Sequence, residues 1–278
     1  MKRILSGIVI ALAGLALAMA ARNGPIALDW HQAGRLYVLH KNGSVSILDE
    51  ITKKKLATIP PTFGMEPAEI FSARLKDRVF VFVSGFAGRA GVVFQYTAEG
   101  KLYAKFATPE QAASFDVDPE RQILYVTSPV TNVVYAIRID QKGSSAKRVA
   151  YIREAAAIGP VVFDRGRNRV ILGDAGSGVL YDVDVTTGTY QPIASDLKRP
   201  ISLGMGPGSK TLFLADAMTR LVHIYRLENG VFKQIEAIPT GLRLSAVTMG
   251  PDDTVFVADG FSVYQLSLKT KKLTRIMD

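Results

Sequence analysis

The chain has no cysteine, one tryptophan and three histidines among its 278 residues. The missing thiols exclude a disulfide framework, a thiolate-bound zinc or iron–sulfur site, a thiol nucleophile and a lipid-modified cysteine. His31, His40 and His223 fall at unrelated places along the chain and do not read as a metal-binding set. Beyond the first twenty residues no apolar run approaches the length of a membrane span, and no window carries a sustained helical stripe. What is present in quantity is apolar residues, 48% against 21% charged, which excludes global disorder.

Residues 1–20 read as a secretory signal peptide. Lys2 and Arg3 precede an apolar stretch from Ile4 to about Leu17, and Ala18 and Ala20 supply the small side chains required before a cut at Ala20/Ala21. The same stretch left uncut would act as a membrane anchor, and either outcome puts the remainder in the periplasm or outside the cell. No arginine pair marks the route for proteins exported already folded. The net charge of +9 drops by two when Lys2 and Arg3 leave with the signal.

A short apolar strand then recurs six times, at Leu36-Tyr37-Val38, Val79-Phe80-Val81, Leu124-Tyr125-Val126, Val170-Ile171-Leu172, Leu212-Phe213-Leu214 and Val255-Phe256-Val257. The first residues of successive copies lie 43, 45, 46, 42 and 43 apart, a spacing that suits four-stranded propeller blades. The fifth copy shows the grammar plainly. Ile201–Met205, Thr211–Asp216, Leu221–Leu227 and Val231–Ile238 are bounded by turns rich in Gly, Pro and Asn. The expected fold is therefore all-β: a six-bladed β-propeller of four-stranded antiparallel blades, at about 24–61, 65–109, 110–156, 157–199, 200–242 and 243–278. Both the first and the last blade hold four strand candidates, so the ring is expected to close by side-by-side packing, with Ala21 to Gly24 free to add a short pairing.

First strands such as Pro160–Phe163 and Ala246–Met249 are continuously apolar, as expected when both faces of a blade pack on neighbours. Lysines gather on the fourth strands, at Lys53–Lys55, Lys147-Arg148 and Lys269 to Arg275, where charge protects an exposed sheet edge. They are not interleaved with exposed aromatics, so a nucleic-acid partner is not expected.

The units Asp118–Val126, Gly206–Asp216 and Gly250–Asp259, each a Gly-, Pro- or Asp-containing turn leading into an apolar strand, resemble those of the NHL, YVTN and SMP-30/gluconolactonase propellers. That resemblance covers the chain after residue 20. It implies the scaffold, while the loops of such propellers carry differing functions.

Function in such a fold is expected where the loops between second and third strands meet those joining one blade to the next. That face is expected to hold His40, Phe86, Arg89, Arg199, Met218, Arg220 and Arg243, with Arg89 in a long loop from Ser84. Glu66, Asp174, Asp216 and Asp259 at the same mouth offer oxygens for a divalent cation such as Ca, Mn, Zn or Mg. The resemblance to SMP-30 implies such a metal in a lactonase, with Glu66 and Asp216 as the matching positions. The three aspartates have a purely structural reading too, because an Asp ending a strand caps the following turn. No thiol, phosphate cradle or serine elbow is present, since Gly173–Gly178 is followed by no helix. The leading expectation is an exported, monomeric binding module for a protein or small molecule, with a metal-dependent hydrolase as the alternative.

Overall fold

The structure is a computed structural model that describes residues 23–31, 33–61, 65–140 and 145–278. The signal-peptide assignment lies outside the described residues. Among those described, no helix is long and apolar enough to cross a membrane.

Among the described residues, twenty-four strands form six antiparallel sheets of four, each in simple sequential order. The first holds β1 (Pro25–His31), β2 (Arg35–His40), β3 (Val45–Asp49) and β4 (Lys55–Ile59). The second is β5 (Glu66–Leu75), β6 (Arg78–Ala87), β7 (Ala90–Thr97) and β8 (Leu102–Thr108); the third is β9 (Ser114–Asp118), β10 (Ile123–Ser128), β11 (Val133–Arg138) and β12 (Lys147–Tyr151). The fourth comprises β13 (Ile158–Asp164), β14 (Arg169–Asp174), β15 (Val179–Asp184) and β16 (Tyr190–Ala194). The fifth comprises β17 (Pro200–Met205), β18 (Thr211–Asp216), β19 (Leu221–Glu228) and β20 (Val231–Pro239). The sixth is β21 (Ala246–Met249), β22 (Thr254–Ala258), β23 (Val263–Ser267) and β24 (Leu273–Met277). The first strands β1, β5, β9, β13, β17 and β21 pack successively around a central channel, and β21 returns to β1. The chain is an all-β, six-bladed propeller.

The apolar repeats fold this way because alternate side chains of a strand leave opposite faces of its sheet. In β2, Tyr37 and Leu39 pack with Ile70, Val81 and Phe94 of the second blade. Leu36 and Val38, one step out of phase, pack instead with Phe256 and Val263 of the sixth. Four further junctions repeat the pattern, so six hydrophobic layers alternate with six sheets. Fourth strands face solvent: four of the five residues of β4 are exposed.

One local expectation needs correction. Ser84 to Ala87 do not form a loop but continue β6 to a tight turn, with Ala87 paired to Ala90 and only Gly88 and Arg89 between them. The apolar stretch of Val81 to Val83 is simply prolonged by Ser84 and Gly85, which stay buried inside the sheet.

Among the described residues the ring closes side by side, without a strand exchanged between its ends. Leu28, Leu36, Val38 and Leu48 meet Ala246, Phe256, Ala258 and Val263. The Ser245 hydroxyl donates to the Pro25 carbonyl at 3.1 Å, and the Lys41 N–H donates to the Gly24 carbonyl at 3.1 Å. Gly24 lies so close to the sixth blade that a Cβ there would sit 1.5 Å from the Gly260 carbonyl oxygen. Gly24→Ala is therefore expected to cost about 1–3 kcal/mol, the usual range for an overpacked contact. A lowered urea midpoint would show it; an unchanged midpoint would mean that this approach does not help close the ring.

Candidate functional site

Two regions of the ring carry organised chemistry, one at each mouth. At the mouth formed by second-to-third turns, the aspartates that end second strands are turn caps. Asp216 accepts N–H groups from Lys198 at 2.8 Å, Met218 at 2.9 Å and Thr219 at 3.0 Å. Asp174 accepts from Ala156 at 2.7 Å, Ala157 at 2.8 Å and Gly176 at 2.9 Å, and Asp259 from Phe261 at 3.0 Å and Ser262 at 2.9 Å. Burial opposes ionisation of Asp174 and Asp216, but N–H donors, joined at Asp174 by the Ser177 hydroxyl, outweigh it and hold both carboxyls below the usual range. In the third blade, Glu110 from the preceding linker takes over, accepting from the hydroxyls of Ser128 at 2.9 Å and Thr131 at 2.6 Å.

These turns set the residue two places beyond Ser128, Asp216 and Asp259, and in these three blades it is a large apolar side chain. Val130, Met218 and Phe261 are 56%, 71% and 65% exposed, well above what a packed strand residue retains. Around them Arg89, Arg199, Arg220 and Arg243 are all exposed. Phe86 is half-buried, and His40 is tied down between the Asn23 carbonyl at 2.8 Å and the Ser46 hydroxyl at 2.9 Å. Burial, with Lys55 nearby, lowers the His40 pKa against the pull of that carbonyl. Glu66 is exposed at the start of β5, opposite Phe86. Among the described residues, no three His, Asp or Glu side chains come together as a metal-binding group.

The other region was missed from sequence. A cavity of about 1260 Å³ occupies the channel and opens between the first-to-second turns, at the mouth opposite the capped turns. None of His40, Glu66, Phe86, Arg89, Asp174, Arg199, Asp216, Met218, Arg220, Arg243 or Asp259 lines it. Its walls are the first strands, and three of these carry carboxyls: Asp29 on β1, Glu69 on β5 and Asp116 on β9.

A first strand has no strand partner on the channel side, so its free N–H groups need acceptors. Neighbouring blades supply them. Asp29 accepts the Ser72 N–H at 2.8 Å and the Ser72 hydroxyl, Asp116 accepts the Phe163 N–H at 2.6 Å, and Ser202 accepts the Val247 N–H at 3.1 Å. Glu69 accepts the Ser114 hydroxyl at 3.2 Å. Burial pushes Asp29 and Asp116 up to about 7 and Glu69 up to about 8, against those hydrogen bonds, and the charge of Asp29 raises the other two further. Asp29 and Asp116 face Tyr37 and Tyr125, the second residues of the recurring strand in their blades. Polar residues interrupting apolar first strands at one register were the signal available in the sequence.

Comparison with solved structures supports the architecture. A chain of the nidogen/laminin complex matches with a TM-score of 0.71 at 13% identity, covering 86% of this chain and 91% of that one. The propeller domain of Cps50 (Swd1) from Myceliophteria thermophila matches at 0.66 and 14% identity, over 91% and 86%. Virginiamycin B lyase from Staphylococcus aureus matches at 0.65 and 13%, over 91% and 84%. No protein-family model and no curated protein sequence matches the chain. Identities this low establish the fold alone.

The channel carboxyls make a pH dependence of defined sign. Each binds its proton more tightly in the folded protein, at about 7 to 8, than in the unfolded chain near 4. Their contribution to stability is therefore fully present at low pH and is lost as pH rises through 7 to 8. The melting temperature is expected to fall between pH 5 and pH 8.5, and the combined Asp29→Asn, Glu69→Gln and Asp116→Asn variant to flatten that fall. Identical profiles for the two proteins would contradict the assignment.

Proposed function

We propose that the protein is an exported binding module of the NHL/YVTN type, which docks a protein partner on the mouth carrying Val130, Met218 and Phe261. The observation that supports this reading is the repeated construction of that mouth. In three blades a turn held by side-chain acceptors projects an exposed apolar residue from one equivalent position. Preorganised apolar knobs lose little entropy on docking, and buried apolar anchors supply most of the affinity of a protein interface. The aspartates of these turns spend their oxygens on backbone N–H groups, and Arg89, Arg199, Arg220 and Arg243 stand exposed in the turns and linkers of this mouth, beside the exposed Glu66, Glu154 and Asp196. A partner of matching chemistry presents an apolar patch fringed by acidic side chains. The reading of residues 1–20 as a signal peptide supports an encounter in the periplasm or outside the cell.

A photo-crosslinking side chain installed at position 218, in cells that export the protein, identifies the partner by mass spectrometry. Affinity for that partner is expected to fall at least roughly tenfold in the Met218→Asp, Phe261→Asp double variant, and to weaken with added salt. A partner bound equally well by the double variant would sink this reading.

A further inference from the structure

The channel cavity holds carboxyls that accept hydrogen bonds from the ring's own N–H and hydroxyl groups but have no cationic partner among the described residues. Some buried carboxylates elsewhere are given counter-ions: Arg167 reaches both Asp164, at 2.5 Å, and Asp182, at 2.8 Å, and Arg169 also reaches Asp182 at 2.5 Å. Others, such as Asp174 and Asp216, have only hydrogen-bond donors among the described residues. In the channel, Asp29, Glu69 and Asp116 have hydroxyl and N–H partners but no ion pair among the described residues. Arg165 acts on Asp116 only from a distance. At the mouth cations predominate: Arg74, Lys76 and Arg165 line the opening together with Glu120, are exposed, and form no ion pair among the described residues.

Apolar side chains share the lumen with these polar groups. Phe71 of β5, Leu203 and Met205 of β17 and Met249 of β21 line it, and each is half-buried. The acids do not converge as a metal-binding group, so an extended occupant suits them better than a single ion. Along β5 the five residues from Glu69 to Arg74 span about 16 Å at ~3.3 Å per residue. An extended tripeptide or tetrapeptide covers most of that length at ~3.5 Å per residue.

We propose that this cavity is a binding site for a short apolar peptide with free ends, its amino terminus inward against Asp29, Glu69 and Asp116 and its carboxylate outward against Arg74, Lys76 and Arg165. The ammonium supplies the counter-charge that the buried acids lack, and the carboxylate does the same for the rim. Apolar side chains of the peptide lie against Leu203, Met205 and Met249. The site is at the opposite mouth from the protein-docking surface and does not depend on it.

Titration of the purified protein with trileucine, followed by calorimetry and by thermal shift, tests this. Saturable binding and a raised melting temperature are expected. N-acetyl-trileucine should bind at least roughly tenfold more weakly, and trileucine amide several-fold more weakly, as expected for loss of charge-assisted hydrogen bonds. Glu69→Gln and Asp116→Asn should each weaken trileucine roughly tenfold, and Arg74→Gln with Arg165→Gln several-fold. Should the channel variants fail to fold, the comparison of free, acetylated and amidated peptides on the unaltered protein still decides. Absence of binding at millimolar trileucine, or equal binding of the acetylated form, overturns the proposal. So does stabilisation by calcium chloride alone that Glu69→Gln abolishes, which would assign the carboxyls to a metal.

Discussion

The structure depends on the apolar layer between neighbouring blades. Each sheet is buried on both faces, and each strand divides its side chains between two different layers by simple alternation. No single blade can bury its own hydrophobic surface, so no blade is a stable unit, and only a closed ring leaves none of that surface in water. The junction of the sixth blade with the first is therefore equivalent to the other five, with Leu36 and Val38 against Phe256 where Tyr37 and Leu39 serve the second blade.

Closing the ring this way creates a new demand at its centre. Six first strands turn an unpaired edge toward the channel, and N–H groups on them have to be met by side chains from the preceding blade. Asp29, Asp116 and Ser202 meet that demand in alternate blades. Using carboxyls for this task carries ionisable groups into a confined space, and burial raises their pKa values into the neutral range. The polarity of the channel is thus a consequence of the hydrophobic layers, and its charge is a consequence of which acceptor each blade uses.

The same logic separates the two mouths. At one, acids are consumed by turn N–H groups, which leaves arginines and apolar knobs to face outward. At the other, acids stand deep inside and cations stand at the rim. Short antiparallel strands put the two ends of every blade on opposite surfaces, so the molecule can present two chemically unlike faces from one repeating unit.

Much of this was legible in the residues. The period of the recurring strand, its apolar continuity and the Gly-, Pro- and Asn-rich turns are local properties, and they determined the strand count, the blade count and the architecture. The capping role of Asp174, Asp216 and Asp259 was equally local, since an acceptor at a strand end reaches N–H groups two and three residues on. The end of β6 was not, because Ser84 and Gly85 are turn-forming in isolation and are kept in the sheet by β5 and β7 on either side. Nor was the cavity. Asp29, Glu69 and Asp116 are separated by at least forty residues, and only closure of the ring points three first strands at one lumen and decides at which mouth it opens.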